Sequence, residues 1–213
     1  MAHKIVDFAI QLAVILFAIS FHESAHAWSA LQLGDTTARD QGRISLNPMR
    51  HIDPFGSILL PLLLYFTSGL IFGYAKPTPV DLRNVKDPRF GNLVVSAAGP
   101  LSNFLLCLPG ILALYALRHI PMDQGVGQPL NAVAGAFVMV NFSLGLFNLI
   151  PIPPLDGSGV VASIFGEPAQ RLFQTLAPFG FLILIGLSST GLLEVFLNPV
   201  FHVFLSFLRR VLA

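Results

Sequence analysis

The chain has 213 residues, of which 54% are hydrophobic and 11% charged, and its formal net charge is +1. This composition excludes an ordinary soluble domain and the basic field of a nucleic-acid-binding protein, so it predicts an integral membrane protein. The single cysteine, Cys107, excludes an intrachain disulfide framework and any metal site built on a CxxC pair. The 18 Gly and 16 Pro, many of them inside apolar stretches, favour a bundle of closely packed and locally broken helices.

Six apolar segments follow one another along the chain. Most of them are long enough to cross a hydrocarbon core of about 30 Å as helices. We therefore predict an all-α polytopic membrane protein, a bundle of about five to six transmembrane helices that forms a single domain over residues 1–213. The polar connectors are rich in Pro and Gly, which favours turns or extended backbone over helix. The apolar segments are residues 5–33, 55–73, 91–118, 130–150, 170–190 and 192–208.

The first apolar segment carries no small-residue cleavage pattern, so we interpret it as a retained helix and not as a signal peptide. It runs into the sequence FHESAHAW, in which His22 and His26 are four residues apart and so share one face of a helix. Glu23 lies about 100° further round, within reach of a metal-bound water without being a ligand. This HExxH arrangement is typical of a zinc site with a glutamate base. A polar helix face is the alternative, but each ionisable group at the centre of a bilayer costs roughly 2.5 to 3.5 kcal/mol, which favours a functional role.

The second apolar segment, 55–73, conflicts with the distribution of basic residues. Lys and Arg collect on the cytoplasmic side of membrane proteins, and here they are concentrated in both connectors that flank this segment, 34–54 and 74–90. A segment that crossed the membrane would place these connectors on opposite faces. We therefore predict that 55–73 is a re-entrant or surface-lying hairpin, with a full crossing as the alternative. The residues that favour this interpretation are Pro61 within the segment and Gly56, Gly69 and Gly73 around it.

A catalytic zinc site needs a third protein ligand. The best candidate is Asp156 in the sequence FNLIPIPPLDG, where three prolines within four residues stop the preceding helix, so we predict extended backbone there. Non-helical backbone near membrane depth is tolerated where protein or a wet cavity surrounds it, which suits a metal ligand. A surface turn outside the bilayer is the alternative, and His51 stays open as another ligand. The histidines that lie near the ends of apolar segments, and are better explained by interfacial positions, are His3, His119 and His202.

The two motifs can share one zinc if the first helix and the segment 130–150 run in the same direction. Segment 91–118 must then be the single full crossing between them, which again requires that 55–73 is re-entrant. With the basic connectors in the cytoplasm, the site is expected nearer the cytoplasmic face of the cell membrane.

At these residues the sequence resembles the site-2 protease family of intramembrane zinc metalloproteases, peptidase family M50. The resemblance is carried by FHESAHA, by AGPLSNF at residues 98–104 and by NLIPIPPLDG at residues 148–157. The length and the connector pattern resemble the compact prokaryotic branch of that family. No stretch is long enough for the PDZ or CBS domains of some relatives, so filtering of substrates by such a domain is not expected.

The resemblance implies one Zn²⁺ per chain, bound by His22, His26 and Asp156. It implies that Glu23 is the general base and that Asn148 lies beside the site as a substrate-binding residue. It further implies a substrate that is a transmembrane or membrane-associated segment of another protein within the lipid bilayer.

Metal-assisted peptide hydrolysis is the mechanism that we expect, with Glu23 taking a proton from the attacking water and passing it to the leaving amine. Asn148 is then a candidate amide donor to the substrate, with an interhelical hydrogen bond as the alternative, and for Asn103 helix packing is favoured. Two other classes stay open, a membrane metal transporter and a catalytically inactive metal-binding scaffold. Neither of them needs a non-ligand carboxylate beside the first histidine, so Glu23 discriminates between these hypotheses.

Overall fold

The computed structural model describes residues 2–68 and 73–213, and within these residues every regular element is a helix. Among the described residues, five helical spans are long and apolar enough to cross a membrane, which confirms the prediction of an all-α polytopic membrane protein. The α-helices of the described residues are α1 (Ala2–Gln32), α2 (Thr37–Asp40), α3 (Leu60–Ser68), α4 (Pro88–His119), α5 (Gln124–Asn148), α6 (Asp156–Phe165), α7 (Glu167–Leu176), α8 (Gly180–Ser189) and α9 (Leu192–Leu212). The five spans are Ile5–Gln32, Pro88–His119, Gln124–Asn148, Glu167–Ser189 and Leu192–Leu212.

Helix α4 packs against both α1 and α5 and runs antiparallel to each of them. Residues later in α4 contact residues that come earlier in α1 and in α5. Helices α1 and α5 are therefore parallel, which a zinc site shared by their two motifs requires. The contacts that set this register are Val95–His26 and Asn103–Ala18 on α1, and Asn103–Asn141 and Cys107–Val138 on α5.

Glycines allow α4 and α5 to approach closely. A Cβ on Gly110 would lie 2.6 Å from a methyl group of Val138, and one on Gly145 would lie 3.1 Å from the carbonyl oxygen of Pro100, so larger residues would push the helices apart. The local breaks predicted from the prolines do not occur in α4, which continues through Pro100 and Pro109. Neighbouring helices and side chains in a membrane bundle can satisfy the carbonyls that a proline frees.

The segment predicted to be re-entrant forms a π-helical turn, Pro54–Leu59, followed by α3. The 6 residues of the turn and the 9 of α3 rise at most roughly 22 Å, which is short of the about 30 Å of a hydrocarbon core. The backbone nitrogen of Tyr74 donates to the carbonyl of Gly56 at 3.0 Å, so the chain returns to the level at which it entered. The tip of the predicted hairpin, including Gly69, lies outside the described residues. The described ends agree with the re-entrant interpretation and not with a full crossing.

The proline-rich stretch after α5 is turned and not extended as predicted. The backbone nitrogen of Ile152 donates to the carbonyl of Ile150 at 2.8 Å, and that of Leu155 donates to the carbonyl of Ile152 at 2.9 Å. Prolines remove backbone donors, but the carbonyls between them still accept, which permits these tight turns. Helix α6 then begins at Asp156 itself.

Helices also occupy connectors that the Pro and Gly content predicted to be non-helical. Helices α6 and α7 fill most of the connector after α5, and α5 itself begins at Gln124, within the stretch 119–129. The prediction was wrong because a proline in the first turn of a helix removes no intrahelical hydrogen bond, as Pro168 in α7 illustrates.

The last helix, α9, is longer than the apolar segment 192–208 that predicted it. It continues through Arg209 and Arg210, whose positive charges complement the C-terminal end of the helix dipole. His202 is the eleventh of its 21 residues. The interpretation that His202 lies near the end of an apolar segment was therefore wrong, since this histidine lies at the middle of a membrane-spanning helix.

Two buried charged side chains, Arg43 and Asp35, fasten the connectors at the C-terminal end of α1. Each is surrounded by partners from several stretches: for Arg43 the carbonyls of Arg50, Lys76 and Pro77, and for Asp35 the side chains of Thr37 and Asn84 and the backbone nitrogen of Asp81. These hydrogen bonds tie the connector after α1 to segment 73–85, which is irregular apart from the 3-10 turn Leu82–Asn84. This irregular segment follows the re-entrant segment and leads into α4.

Candidate metal centre

Three side chains converge where α1 meets the start of α6. His22 and His26 lie about one turn apart on α1, with their Nε2 atoms 3.1 Å apart. Oδ2 of Asp156 lies 3.1 Å from Nε2 of His22 and 3.4 Å from Nε2 of His26. Among the residues that the structure describes, these are the His, Cys, Asp or Glu side chains whose ligand atoms come close enough together to hold a metal ion. The fold thus brings two motifs that are distant in the sequence to one place.

Helix α4 holds the opposite edge of each imidazole ring. Nδ1 of His26 lies 2.7 Å from the carbonyl oxygen of Val95, and Nδ1 of His22 lies 2.6 Å from Oδ1 of Asn103. Val95, Gly99 and Asn103 follow one another at intervals of four residues and so share one face of α4. That face packs antiparallel on the face of α1 that carries the histidines, and the register of the two helices orients both rings.

These contacts determine where the imidazole protons lie. Both partners of the Nδ1 atoms are oxygen acceptors, so each Nδ1 donates and each Nε2 of a neutral ring carries a lone pair. The two lone pairs point at each other and at Oδ2 of Asp156, a buried atom with no hydrogen-bond donor of acceptable geometry in the described part of the chain. Electron-rich atoms gathered in this way favour a bound cation.

The spacing of the three atoms fits zinc. A tetrahedral zinc ion about 2.0–2.1 Å from each ligand atom would hold those atoms roughly 3.3 Å apart. The observed separations of 3.1, 3.1 and 3.4 Å match that value. Two imidazole nitrogens and one carboxylate oxygen are also a ligand set that catalytic zinc sites use, with a fourth position left for water.

Gly99 leaves space beside the imidazoles. A Cβ at this position would lie 2.6 Å from Nε2 of His22 and closer still to Nε2 of His26. Any side chain here would therefore press on both ligand atoms. Glycine inside a helix costs about 1 kcal/mol relative to alanine, and at this position the absent Cβ leaves the space beside the two Nε2 atoms open.

Glu23 opens on the same cavity as the three converging side chains but does not join their cluster. Its Oε2 atom accepts two hydrogen bonds from Thr78, one from the backbone nitrogen at 2.8 Å and one from the hydroxyl at 2.7 Å. Thr78 belongs to the irregular segment that Arg43 fastens. The carboxylate is thus held from outside its own helix.

The cavity around these side chains has a volume of about 970 Å³ and mainly apolar walls. The walls come from the re-entrant segment and the chain just after it, from α4, α5 and α8, and from the proline-rich stretch before α6. It has room for a stretch of apolar peptide beside the converging ligand atoms. Its large apolar lining residues include Phe55, Tyr74, Phe147, Phe181 and Leu184.

The two asparagines singled out in the sequence differ in their contacts. Asn148 lines the cavity, and its Nδ2 donates to the carbonyl of Leu144 in its own helix at 2.9 Å, so the interhelical alternative is not what the structure shows. Asn103 does bond across helices, with its Nδ2 3.0 Å from Oδ1 of Asn141, as the packing interpretation expects. It also holds His22, a contact that sequence reasoning missed.

His51 and Asp53, whose relation to the site the sequence left open, both have other partners. Nε2 of His51 lies 2.7 Å from the carbonyl oxygen of Ser45, and burial lowers the pKa of this histidine below its usual value. Asp53 caps the π-helical turn by accepting hydrogen bonds from two backbone nitrogens of its first residues. Neither belongs to the cluster of converging ligand atoms.

Three residues at the site were not predicted to be there: Gly99, Asn103 and Thr78. For two of them a signal was present, because Val95, Gly99 and Asn103 repeat the four-residue spacing of the two histidines within the next crossing helix. Thr78 had no comparable signal, since it lies in an irregular connector whose path depends on buried contacts elsewhere.

Comparisons with known proteins agree with one another. Residues 119–187 match the profile of peptidase family M50. The chain is 36% identical to YwhC of Bacillus subtilis over 193 aligned residues. The aligned residues make up 89% of this chain and 85% of the relative. It is 26% identical to Rip2 of Mycolicibacterium smegmatis over 205 aligned residues, and these make up 94% of this chain and 74% of the relative. Both relatives carry the name "Putative zinc metalloprotease".

A third relative, "Zinc metalloprotease MJ0392" of Methanocaldococcus jannaschii, is 32% identical over 90 residues, which is 42% of this chain and 24% of the relative. No solved structure matches the chain.

Proposed function

Since the chain belongs to peptidase family M50 and is therefore an intramembrane zinc metalloprotease, we propose that His22, His26 and Asp156 hold its zinc and that Glu23 is its general base. The observation that carries this assignment is the convergence of three atoms able to bind a metal ion, 3.1 to 3.4 Å apart, beside a carboxylate that stays outside the cluster. Neither the transporter nor the scaffold alternative is supported by the comparisons.

The residues divide the chemistry between them. Zinc bound by the three ligands supplies a Lewis acid that polarises the scissile carbonyl and lowers the pKa of a water molecule. Glu23 takes the proton of the attacking water and returns it to the leaving amine. Thr78 keeps one oxygen of that carboxylate occupied, so the other is the one that moves the proton. The amide of Asn148 binds the substrate backbone from the cavity wall.

The proposed substrate is a transmembrane or membrane-associated segment of another protein. The mainly apolar walls of the cavity suit the apolar side chains of a membrane-embedded segment, and the polar groups that line the cavity include the three proposed ligands and Glu23. We assign this activity to a single integral-membrane domain over residues 1–213.

The proposed site lies nearer the cytoplasmic face. The C-terminal part of α1 that carries the histidines is followed by the two connectors in which Lys and Arg are concentrated. Cysteine labelling tests this orientation in a Cys107→Ser background. An impermeant maleimide added outside intact cells should label Asp123→Cys, in the connector at the opposite end of α4, and not Arg83→Cys. Labelling of Arg83→Cys alone would reverse the orientation.

The assignment is tested by zinc content and peptide cleavage in detergent-purified protein. The wild type should hold one zinc per chain and cleave a transmembrane peptide that carries a fluorophore and a quencher. Glu23→Gln should keep the zinc and lose cleavage, because a neutral amide cannot take the proton. Asp156→Ala should lose most of the zinc, while Asp123→Ala, at a distant exposed carboxylate, should not. Full zinc occupancy without Asp156, or full turnover without Glu23, would contradict the assignment.

A further inference from the structure

A chain of polar side chains crosses three helices and ends on His22. Asn141 on α5 donates through Nδ2 to the carbonyl of Phe137 at 2.9 Å. Asn103 on α4 donates through Nδ2 to Oδ1 of Asn141 at 3.0 Å and to the carbonyl of Ala18 at 3.3 Å. Oδ1 of Asn103 lies 2.6 Å from Nδ1 of His22. Both asparagines are fully buried, with an exposed fraction of 0%.

The hydrogen-bond direction along this chain has one solution. The carbonyl of Phe137 can only accept, so Asn141 must turn its NH₂ group to it and its oxygen to Asn103. Asn103 then presents its NH₂ group to Asn141 and its oxygen to His22. Reversing either amide would face donor to donor or acceptor to acceptor in a buried site, which costs about 1–3 kcal/mol for each unsatisfied group.

We propose that Asn103 and Asn141 are positioning residues for the metal ion, because together they fix His22 in the tautomer whose Nε2 is free to bind it. This inference rests on the assignment of His22 as a zinc ligand. Asn141 contacts neither His22 nor the converging ligand atoms and acts through Asn103. For His26 the same task falls to the backbone carbonyl of Val95, which no substitution removes.

The inference predicts a loss of zinc affinity without a loss of fold. Partners that orient a metal-binding histidine typically change metal affinity by about 10- to 100-fold when they are removed. Asn103→Leu removes the acceptor for His22, and Asn141→Leu removes the group that orients that acceptor. Asn103→Asp keeps an oxygen acceptor beside Nδ1 but loses the two contacts that Nδ2 donates, so it should retain more affinity than Asn103→Leu.

Zinc affinity is measured by competition with a chelator, beside the thermal unfolding of the metal-free protein as a check of folding. The matched control is Asn131→Leu, because Asn131 also lies on α5 and donates to the carbonyl four residues earlier, at 2.8 Å, but is exposed. Asn141→Leu and Asn103→Leu should bind zinc about 10- to 100-fold more weakly than the wild type, and Asn131→Leu equally well. If Asn141→Leu does not fold, the inference is tested by the difference in zinc affinity between Asn103→Leu and Asn103→Asp.

The outcomes separate this inference from the proposed function. Wild-type affinity in Asn141→Leu and Asn103→Leu, together with loss of zinc in His22→Ala, would overturn the inference and leave the ligand assignment standing. Wild-type affinity in His22→Ala would overturn the ligand assignment itself. Equal weakening in Asn103→Leu and Asn103→Asp would also overturn the inference, since it would show that the acceptor oxygen is not what matters.

A separate observation concerns the surface of α9. Every fourth residue along this helix is polar and exposed, in the row Glu194, Asn198, His202, Ser206 and Arg210. Another face of α9 packs on the bundle, where Phe201 and Phe204 contact the ring of Phe142. The polar row is therefore not the face that anchors the helix.

The central members of this row are exposed in the middle of a helix that is long and apolar enough to cross a membrane, so in a single copy of the chain we expect them to face hydrocarbon. Glu194 and Arg210 lie within about one turn of the helix ends, where water and lipid headgroups can solvate them. Asn198, His202 and Ser206 lie deeper, and within the described residues their side chains have no hydrogen-bond partner. Polar groups exposed to hydrocarbon are unfavourable, and transmembrane helices commonly satisfy them by association.

We propose that this row is a dimerisation surface for a second copy of the chain. Two copies in one membrane share an orientation, so a two-fold axis along the membrane normal pairs α9 with α9 in parallel and sets each residue against itself. Asn, neutral His and Ser each have both a donor and an acceptor and can therefore pair with their own copy. Side chains spaced by four residues form a ridge along a helix, and in such a pair the ridges of the two α9 helices would cross near His202.

Disulfide cross-linking in native membranes tests the dimer in a Cys107→Ser background. Asn198→Cys and His202→Cys should each form chain dimers on oxidation. The control is Phe196→Cys, a position that is 74% exposed and lies about 160° round the helix from Asn198. The double variant Asn198→Leu, His202→Leu should be monomeric in mild detergent where the wild type is dimeric. Equal cross-linking at position 196, cross-links to other proteins alone, or an unchanged dimer in the double variant would overturn the proposal.

Discussion

Thr78 donates two hydrogen bonds to a single oxygen of Glu23, one from its backbone nitrogen at 2.8 Å and one from its hydroxyl at 2.7 Å. The two residues are 55 positions apart in the chain. The carboxylate proposed as the base is therefore oriented by a connector and not by the helix that carries it.

Replacing Thr78 by Val removes the hydroxyl donor and keeps the backbone nitrogen and the side-chain shape. Loss of one hydrogen bond to a charged group, worth about 1.5–3 kcal/mol in stability measurements, frees the carboxylate to leave its productive orientation. We expect kcat to fall by about tenfold with zinc content unchanged, measured by peptide cleavage and metal analysis. Thr175→Val is the control, since that exposed hydroxyl bonds to its own helix. An unchanged or raised kcat would refute the orienting role.

Gly99→Ala should abolish zinc binding while the helix stays intact. The added Cβ would lie 2.6 Å from Nε2 of His22 and closer still to Nε2 of His26, so the ligand atoms must move apart. Alanine itself favours the helix by about 1 kcal/mol, so the secondary structure should not suffer. Gly135→Ala is matched, because a Cβ there meets nothing within 4 Å. The zinc affinities of Gly99→Ala and Gly135→Ala are compared by titration. Equal affinities would argue against a metal ion beside the Nε2 atoms of His22 and His26.

Arg43→Lys should loosen the connector that carries Thr78. The guanidinium reaches the carbonyls of Arg50, Lys76 and Pro77 at once, and the single ammonium of lysine cannot reproduce that planar fork. We expect a lower melting temperature in detergent and a loss of about 1–3 kcal/mol in unfolding free energy. Arg39→Lys, at an exposed ion pair with Asp40, should change neither. The same melting temperature in both variants would show that the fork is dispensable.

Asp35 should make the fold sensitive to acid. Burial alone would raise the pKa of Asp35, but hydrogen bonds from Thr37, Asn84 and Asp81 outweigh burial and hold the pKa below its usual value. As the pH falls below about 4, the unfolded chain takes up the proton first, so this contribution to stability is present at neutral pH and lost in acid. The melting temperature of Asp35→Asn should lie below that of the wild type at pH 7, and the gap should narrow in acid. A constant gap would contradict this role.

The fold class followed from composition, because 54% hydrophobic residues and repeated apolar segments leave few architectures other than a helical membrane bundle. The proximity of His22 and His26 followed equally directly, since four residues are close to one helical turn. Helices α6 and α7 could not be found in this way, because the same prolines and glycines that end a helix are also compatible with starting one.

The contacts that orient the site were beyond the sequence for a different reason. Asn103 meets His22 because of the antiparallel register of α1 and α4, and one helical turn of slippage would separate them. Thr78 reaches Glu23 along a path set by buried contacts of Arg43, far from either residue in the chain. Local patterns report which residues share a face, whereas register and connector paths depend on the packing of the whole bundle.

The converging ligands are held by α1, α4 and α6, whereas the carboxylate of Glu23 is held by the irregular segment that carries Thr78. Under the proposed assignment, two separate parts of the molecule govern zinc binding and the orientation of the base. If the segment that carries Thr78 is displaced in some molecules of a preparation, those molecules should still bind zinc but should not cleave peptide. Turnover per bound zinc, determined by titrating active sites, is therefore the measure of an intact enzyme, and zinc per chain is not.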